Sequence, residues 1–322
     1  MFKKTAIVAG LGLALAATAQ AQQSNDKLQE AVVTSDKLVD TYRWELNADY
    51  TAGEWSANGI DDTETDEFSI GGSFYFQPVD TTLGPRGEAA FLDHASDITL
   101  SYTYGEVDDN GIDIDSDSYL ISGRYVMDAG FIFEGAYRYY EPVNAEVDQY
   151  RLSAGYYLTE TTTLIIDYLD SDVDDGGSFP DGLVEASDTD GWNARVEHFW
   201  GFGNNDGGLK LEGNYGFINV DDGDDVDLWG VGATWYITRD IGIGATYENT
   251  DYGFLESDDY GLFAEWFVTR NIAVNLAYSH REPDDFDINR DIDLPDDGDI
   301  NRFLRNSDLE YDAITLGATL RF

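Results

Sequence analysis

Residues 313–322 read AITLGATLRF. Counting back from Phe322, Leu320, Ala318, Leu316 and Ile314 take every second position, and Arg321, Thr319, Gly317 and Thr315 fill the gaps. Period two is the mark of a strand with one apolar and one polar face. A last strand that finishes on an aromatic suits a closed sheet, where it pairs with the first strand and a polar tail would obstruct the seam.

The same alternation recurs along the chain between Asp-, Gly- and Asn-rich stretches, the pattern of an antiparallel all-β protein. Four segments share a finer design: YLISGRYVMDAGFIFEGAY, YRLSAGYYLTETTTLIIDY, WGVGATWYITRDIGIGATY and YGLFAEWFVTRNIAVNLAY. Aligned on Asp128, Thr159, Thr238 and Thr269, they place Tyr119, Tyr150, Trp229 and Tyr260 nine residues before the anchor. Tyr125, Tyr156, Trp235 and Trp266 stand three before it, and Tyr137, Tyr168, Tyr247 and Tyr278 nine after. Each repeat is a hairpin with a short turn at the anchor, while the stretches joining repeats are long and variable. Short turns at one end and long loops at the other characterise outer-membrane barrels, with the long loops extracellular.

Extending this frame predicts fourteen strands, within a range of 12–16: 40–51, 67–77, 97–105, 118–127, 130–140, 149–158, 162–169, 191–200, 208–218, 228–237, 241–248, 259–268, 271–279 and 312–322. One face carries Tyr42, Trp44, Leu46, Ala48 and Tyr50, then Phe68, Ile70, Phe74 and Phe76, and continues so to Phe322 without an acid, lysine or arginine. A lipid-facing Arg or Lys would cost roughly 2–4 kcal/mol at the midplane. The opposite face carries Arg43, Glu45, Asp49, Arg124, Glu134, Arg138, Arg151, Asp167, Arg195, Glu197, Lys210, Glu212, Glu265 and Arg321. Seven are basic and seven acidic, so a pore lined by them is nearly balanced. A soluble sandwich would also show a polar outer face. Aromatics at fixed heights fit interfacial girdles better, and closure removes the two open edges of a sandwich.

Composition narrows function. Lys3 and Lys4, an apolar run from Thr5 to Ala17 and the stretch ATAQAQ predict a signal peptide over residues 1–21, followed by a periplasmic segment 22–39 and a barrel over 40–322. With no cysteine, disulfides are excluded. With 64 acidic residues against 18 basic, nucleic acid is not an expected partner. The acids concentrate in the expected extracellular loops, eight with no base in 170–190 and eleven against four bases in 281–310. None of these runs has the EF-hand spacing D-x-[DN]-x-[DN]-G-x5-E, so no metal or cofactor is expected and the runs read as solvated loops. The three histidines, His94, His198 and His280, fall in a turn, on the lipid face and near a strand end, which argues against a catalytic constellation.

The ending ATLRF, the hairpin YYLTETTTLIIDY and the turn YFQPVDTTLGPRGEAAFLDHAS resemble the general porins of Gram-negative gammaproteobacteria, over nearly the whole of the chain beyond the signal peptide. The resemblance implies an outer-membrane channel for small hydrophilic solutes, in contact with lipid and lipopolysaccharide. It also implies that Phe322, Leu320, Ala318, Leu316 and Ile314 form the signal read by the barrel-assembly machinery. The PEFGG stretch of well-studied trimeric porins is not present, so no pore residue is carried over by motif. The segment LQEAVVTSDK faintly resembles the energy-coupling box of TonB-dependent receptors, but those need about 22 strands and a plug domain. A non-conducting structural or adhesive barrel acting through its acidic loops remains the alternative to a channel.

Overall fold

The computed structural model describes residues 40–56, 63–109, 112–141, 146–174, 188–203, 207–220, 225–252, 256–283 and 310–322. The chain divides into two compact units, Met1–Asp40 and Thr41–Phe322. The predicted signal peptide, the periplasmic segment and LQEAVVTSDK lie outside the described residues, as do most of the acidic loops.

The second unit is a run of antiparallel strands: β1 Thr41–Ser56, β2 Thr63–Asp80, β3 Asp97–Asp109, β4 Ile112–Val126, β5 Phe131–Glu141, β6 Glu146–Thr159, β7 Thr162–Asp174, β8 Thr189–Phe202, β9 Gly207–Val220, β10 Val226–Thr238, β11 Ile241–Asp251, β12 Glu256–Thr269, β13 Ile272–Pro283 and β14 Glu310–Arg321. Each pairs with its sequence neighbours and β14 pairs with β1, closing a fourteen-strand barrel. All fourteen expected strands are present, and many reach further at the loop end than alternation indicated. Above the apolar band both faces of a strand are polar, so period two fades there while ladder bonding continues.

The seam explains the sequence at 313–322. Leu46 stands opposite Leu320, Ala48 opposite Ala318 and Tyr50 opposite Leu316. The Phe322 N–H donates to the Trp44 carbonyl at 3.0 Å, and the Phe322 carbonyl accepts from Arg43 at 3.0 Å and Trp44 at 2.9 Å. Deleting Phe322 removes three seam bonds, each contributing about 1 kcal/mol net, together with a ring that is 48% exposed on the outer face. A sharp fall in folded barrel is therefore expected, read as heat-modifiable gel migration of outer-membrane fractions. Phe322→Ala, which keeps the backbone bonds, should lose less; wild-type levels of the deletion would refute the seam argument.

Large apolar side chains point away from the interior. Leu152 is 65% exposed, Leu100 and Leu262 59% and Ile314 57%. That much bare aliphatic surface, distributed around the whole circumference, is a lipid-facing belt. Near the loop end it is bounded by paired rings, including Tyr137 on Tyr150 and Tyr247 on Tyr260. There a second pattern appears. Outward tyrosines on upward strands donate their hydroxyls to an aspartate on the next strand: Tyr50 to Asp66, Tyr102 to Asp117, Tyr137 to Asp148, Tyr215 to Asp227, Tyr247 to Asp258 and Tyr278 to Asp312. Each ring lies in the apolar belt while its hydroxyl meets a charge, which marks the edge of the membrane.

Two features depart from simple alternation. Between β1 and β2 the register shifts from Tyr42 opposite Val79 to Trp44 opposite Phe74, and the N–H groups of both Arg43 and Trp44 donate to one carbonyl, that of Phe322. This bulge reverses the facing of the first residues. Tyr42, assigned by alternation to lipid, is 3% exposed and packs inside on Tyr75, Val79 and Ala89. Arg43, assigned to the lumen, is exposed beside Trp44 instead. Elsewhere the turn end is tight, with two residues between β6 and β7, β10 and β11, and β12 and β13. Between β2 and β3, however, Thr81–Ser96 forms a long excursion containing two short 3-10 turns, Thr81–Leu83 and Arg86–Glu88, and one helical turn, α1, Ala89–Leu92.

Candidate functional site

The excursion between β2 and β3 crosses the lumen at the turn end. It leaves from β2, yet the Arg86 N–H donates to the Arg239 carbonyl (2.9 Å) and its guanidinium pairs with Asp240 at 2.6 Å, both in the β10–β11 turn. In a fourteen-strand ring β9 and β10 lie opposite β2, so the segment must span the bore to reach them. It touches other walls on the way. The Tyr157 hydroxyl of β6 donates to the Phe91 carbonyl at 2.9 Å, the His94 ring stacks on Tyr157 with centroids 3.7 Å apart, and the Arg321 guanidinium of β14 donates to the Arg86 carbonyl at 2.7 Å.

Apolar packing holds this plug in place. Tyr157, Tyr236 and Phe267 stand two residues before the anchors Thr159, Thr238 and Thr269, on the inward face, and are 5%, 5% and 3% exposed. A water-filled bore would leave such rings wet. Ile132, Tyr157 and Ile165 form one cluster with Phe91 against it, and Tyr42, Tyr75, Val79 and Ala89 form another. Gly87 passes closest: a Cβ there would lie 2.3 Å from Glu265 Oε1 and 2.8 Å from the Tyr236 hydroxyl, so glycine permits the approach.

Charges at this throat are mixed, with acids in excess. Lys210 Nζ lies 3.1 Å from Glu197, 3.2 Å from Glu212 and 3.7 Å from Glu88 of the plug. Glu88 also accepts the Tyr236 hydroxyl at 2.6 Å. Burial pushes the Glu88 carboxyl above the usual range, against the pull of Lys210 and of the Tyr236 bond. Arg321 pairs with Glu45 at 2.5 Å, its guanidinium lying over the Tyr42 and Phe267 rings at 4.5 and 4.7 Å. Glu265 completes the group.

Above the throat a second network runs across the interior. Arg124 of β4 pairs with Glu134 of β5 at 2.9 Å, Glu134 with Arg195 of β8 at 2.6 Å, and Arg195 with Asp167 of β7 at 2.8 Å. Asn193 adds a bond to Asp167 at 3.1 Å. The four arginines that could have made a continuous basic ladder, Arg124, Arg138, Arg151 and Arg195, are therefore divided. Two are neutralised in this network, and Arg138 and Arg151 stand apart, nearer the loop end on β5 and β6.

Of the sequence-derived wall residues, Glu45, Glu197, Lys210, Glu212 and Glu265 gather at the throat, and Arg124, Glu134, Asp167 and Arg195 in the network above it. Glu88, Arg86, Tyr157 and Tyr236 were not among them. The inward aromatic two residues before three of the four anchors was the available signal, because a ring in a polar bore needs something to pack on. The aromatics Tyr119, Tyr125, Tyr150, Tyr156, Trp229, Trp235, Tyr260, Trp266 and Tyr278 lie exposed on the outer belt, with Tyr137, Tyr168 and Tyr247 partly covered.

Residues 27–180 match the family model described as "Putative general bacterial porin". Over that stretch the chain resembles this family, and its closed fourteen-strand barrel with a lipid-facing belt is of the bacterial outer-membrane type. Among solved structures, the chain is similar to the Acinetobacter baumannii outer membrane protein Omp33, with a TM-score of 0.55 and 19% identity over 88% of this chain and 100% of that one. Looser likenesses include the TodX deltaS2S3 mutant monoaromatic hydrocarbon channel (TM-score 0.47, 12% identity, 88% and 91% coverage) and the anion-selective porin from Comamonas acidovorans (0.43, 11%, 87% and 98%). A search of curated proteins by sequence gave no match. Family and fold point to a channel rather than an enzyme.

Proposed function

We propose that this barrel is a passive diffusion channel for small hydrophilic solutes and ions, weakly selective for cations, with its narrowest passage at the plug. The observation that carries the reading is the throat. There, among the described residues, Glu45, Glu88, Glu197, Glu212 and Glu265 surround Lys210 and Arg321, while Arg86 is paired with Asp240 and Arg239 is bound to plug carbonyls, which leaves an excess of carboxylates along the passage. Acidic loops at the other mouth act in the same direction, though their field decays over about 8 Å at physiological ionic strength.

Reversal potentials across a KCl gradient in planar bilayers test this. Cation preference is expected, stronger at low salt. Anion preference that persists at low salt would overturn the selectivity.

The hydrogen-bonded plug also favours a second reading, a non-conducting structural or adhesive barrel acting through its acidic loops. A plug that never leaves the throat would block even ions. Folded protein that inserts without current would support this reading over the channel.

A further inference from the structure

Arg138 and Arg151 differ from the other cations facing the interior. Arg124 and Arg195 share Glu134 and Asp167, Lys210 has three carboxylates and Arg321 has Glu45. Among the described residues, Arg138 and Arg151 have no carboxylate partner, and Arg151 Nε is buried without a hydrogen bond. Arg151 stands opposite Ala136 and Arg138 opposite Gln149, so the two are diagonal neighbours on adjacent strands. Such neighbours lie roughly 7–8 Å apart. Like charges at that spacing repel, and an N–H buried without an acceptor is costly. One anion placed between them relieves both, because a guanidinium presents paired N–H groups that match the two oxygens of a carboxylate.

The two arginines line a cavity of about 330 Å³ whose other walls include Leu120, Ala136, Leu169 and Ile218. Interior aliphatic side chains are expected at the throat, where the plug packs on them, but here, above it, no plug covers them. Together they make an apolar surface beside a doubly cationic one, the composition of a small-molecule site. We propose that this cavity is a binding site for small organic carboxylates: the carboxylate bridges Arg138 and Arg151, and the apolar end covers Leu169 and Ile218. A simple inorganic anion leaves the aliphatic wall wet. A neutral apolar molecule leaves the guanidiniums unpaired. Of the acids nearby, Glu134 and Asp167 are both engaged by Arg195, and Asp170, which also borders the cavity, stands opposite Tyr150 on the other face of β7 from Leu169 and accepts the Tyr168 hydroxyl at 3.4 Å.

The test titrates 4-methylpentanoate into the folded barrel in lipid nanodiscs by isothermal calorimetry, with empty nanodiscs subtracted and with acetate and 4-methylpentanamide as comparison probes. Binding is read without current, so the outcome is independent of whether the barrel conducts. Saturable binding of 4-methylpentanoate is expected, at least tenfold tighter than acetate or the amide. Arg138→Gln and Arg151→Gln should each weaken it at least tenfold, and Leu169→Asn should bring it towards the acetate value. Should the glutamine variants fail to show heat-modifiable migration, Arg138→Lys and Arg151→Lys decide, because loss of the two-pronged pairing predicts at least a threefold weakening. Unchanged affinity in the arginine variants, equal binding of the amide, or equal binding of acetate would each overturn the proposal.

Discussion

Replacing residues 78–94 by an Asn-Gly turn is expected to raise single-channel conductance several-fold in a barrel that still folds. The ladder permits the change: Tyr75 stands opposite Asp97, and the Phe76 N–H donates to the Ser96 carbonyl at 3.0 Å. A two-residue turn from Gln77 to Ala95, the next pair in this register, would therefore make this hairpin like its neighbours. What disappears is the only described segment that crosses the bore. A milder variant, Glu88→Lys, sets a like charge against Lys210 and should undock the plug without shortening it.

Protonation gives a further check on the same variants. Burial raises the Glu88 carboxyl, and its surroundings include Lys210, Tyr236, Glu197, Glu212 and Glu265. A carboxyl raised in the docked state favours docking when protonated. That contribution is complete below the ordinary glutamate value of 4.5 and is lost as pH rises through the raised, docked one. Wild-type conductance should accordingly fall on acidification towards pH 4.5, and Glu88→Gln should stay low and flatter across the range. Equal conductance of the excised and wild-type barrels would place the limiting constriction elsewhere. Silence of both would favour the structural barrel.

The fold was legible because closure and lipid impose the same constraint on every strand. The alternation in residues 313–322 repeats around the ring, and the anchors at Thr159, Thr238 and Thr269 each lead directly into a two-residue turn. Alternation failed where its physical basis failed. At the seam Arg43 and Trp44 both oppose Phe322, on the β2 side the register jumps from Val79 to Phe74, and the facing of Tyr42 reverses. The plug was less legible still, since nothing in the period of GPRGEAAFLDHAS says whether such a turn hangs free or folds inward. The aspartate collar had a visible sign that alternation did not use. Asp117, Asp148, Asp227 and Asp258 stand two residues before Tyr119, Tyr150, Trp229 and Tyr260. Reading those acids as loop composition hid their pairing with tyrosines on the preceding strand.

Removing Arg195 should produce the largest loss of stability from a single side chain in the interior. Asp167 is 1% exposed, and Glu134 is also largely covered. Arg195→Gln leaves both carboxylates in place and withdraws the cation they share. Breaking a buried pair costs about 3–5 kcal/mol in a dry interior; the Arg195 side chain is 30% exposed, so the low end, about 3 kcal/mol, is the reasonable expectation. Guanidinium unfolding in lipid reads this as a lower midpoint at unchanged slope. The companion experiment replaces all three groups, Glu134→Gln, Asp167→Asn and Arg195→Gln. With both stranded carboxylates neutralised, much of the loss should be recovered, and Arg124, now without Glu134, should limit the recovery. The single variant also leaves an excess of negative charge in the bore above the throat, so its cation preference should increase while that of the triple variant should not. A single variant as stable as wild type, or a triple variant no better than the single, would show that the network is not held by the charge balance across β4, β5, β7 and β8.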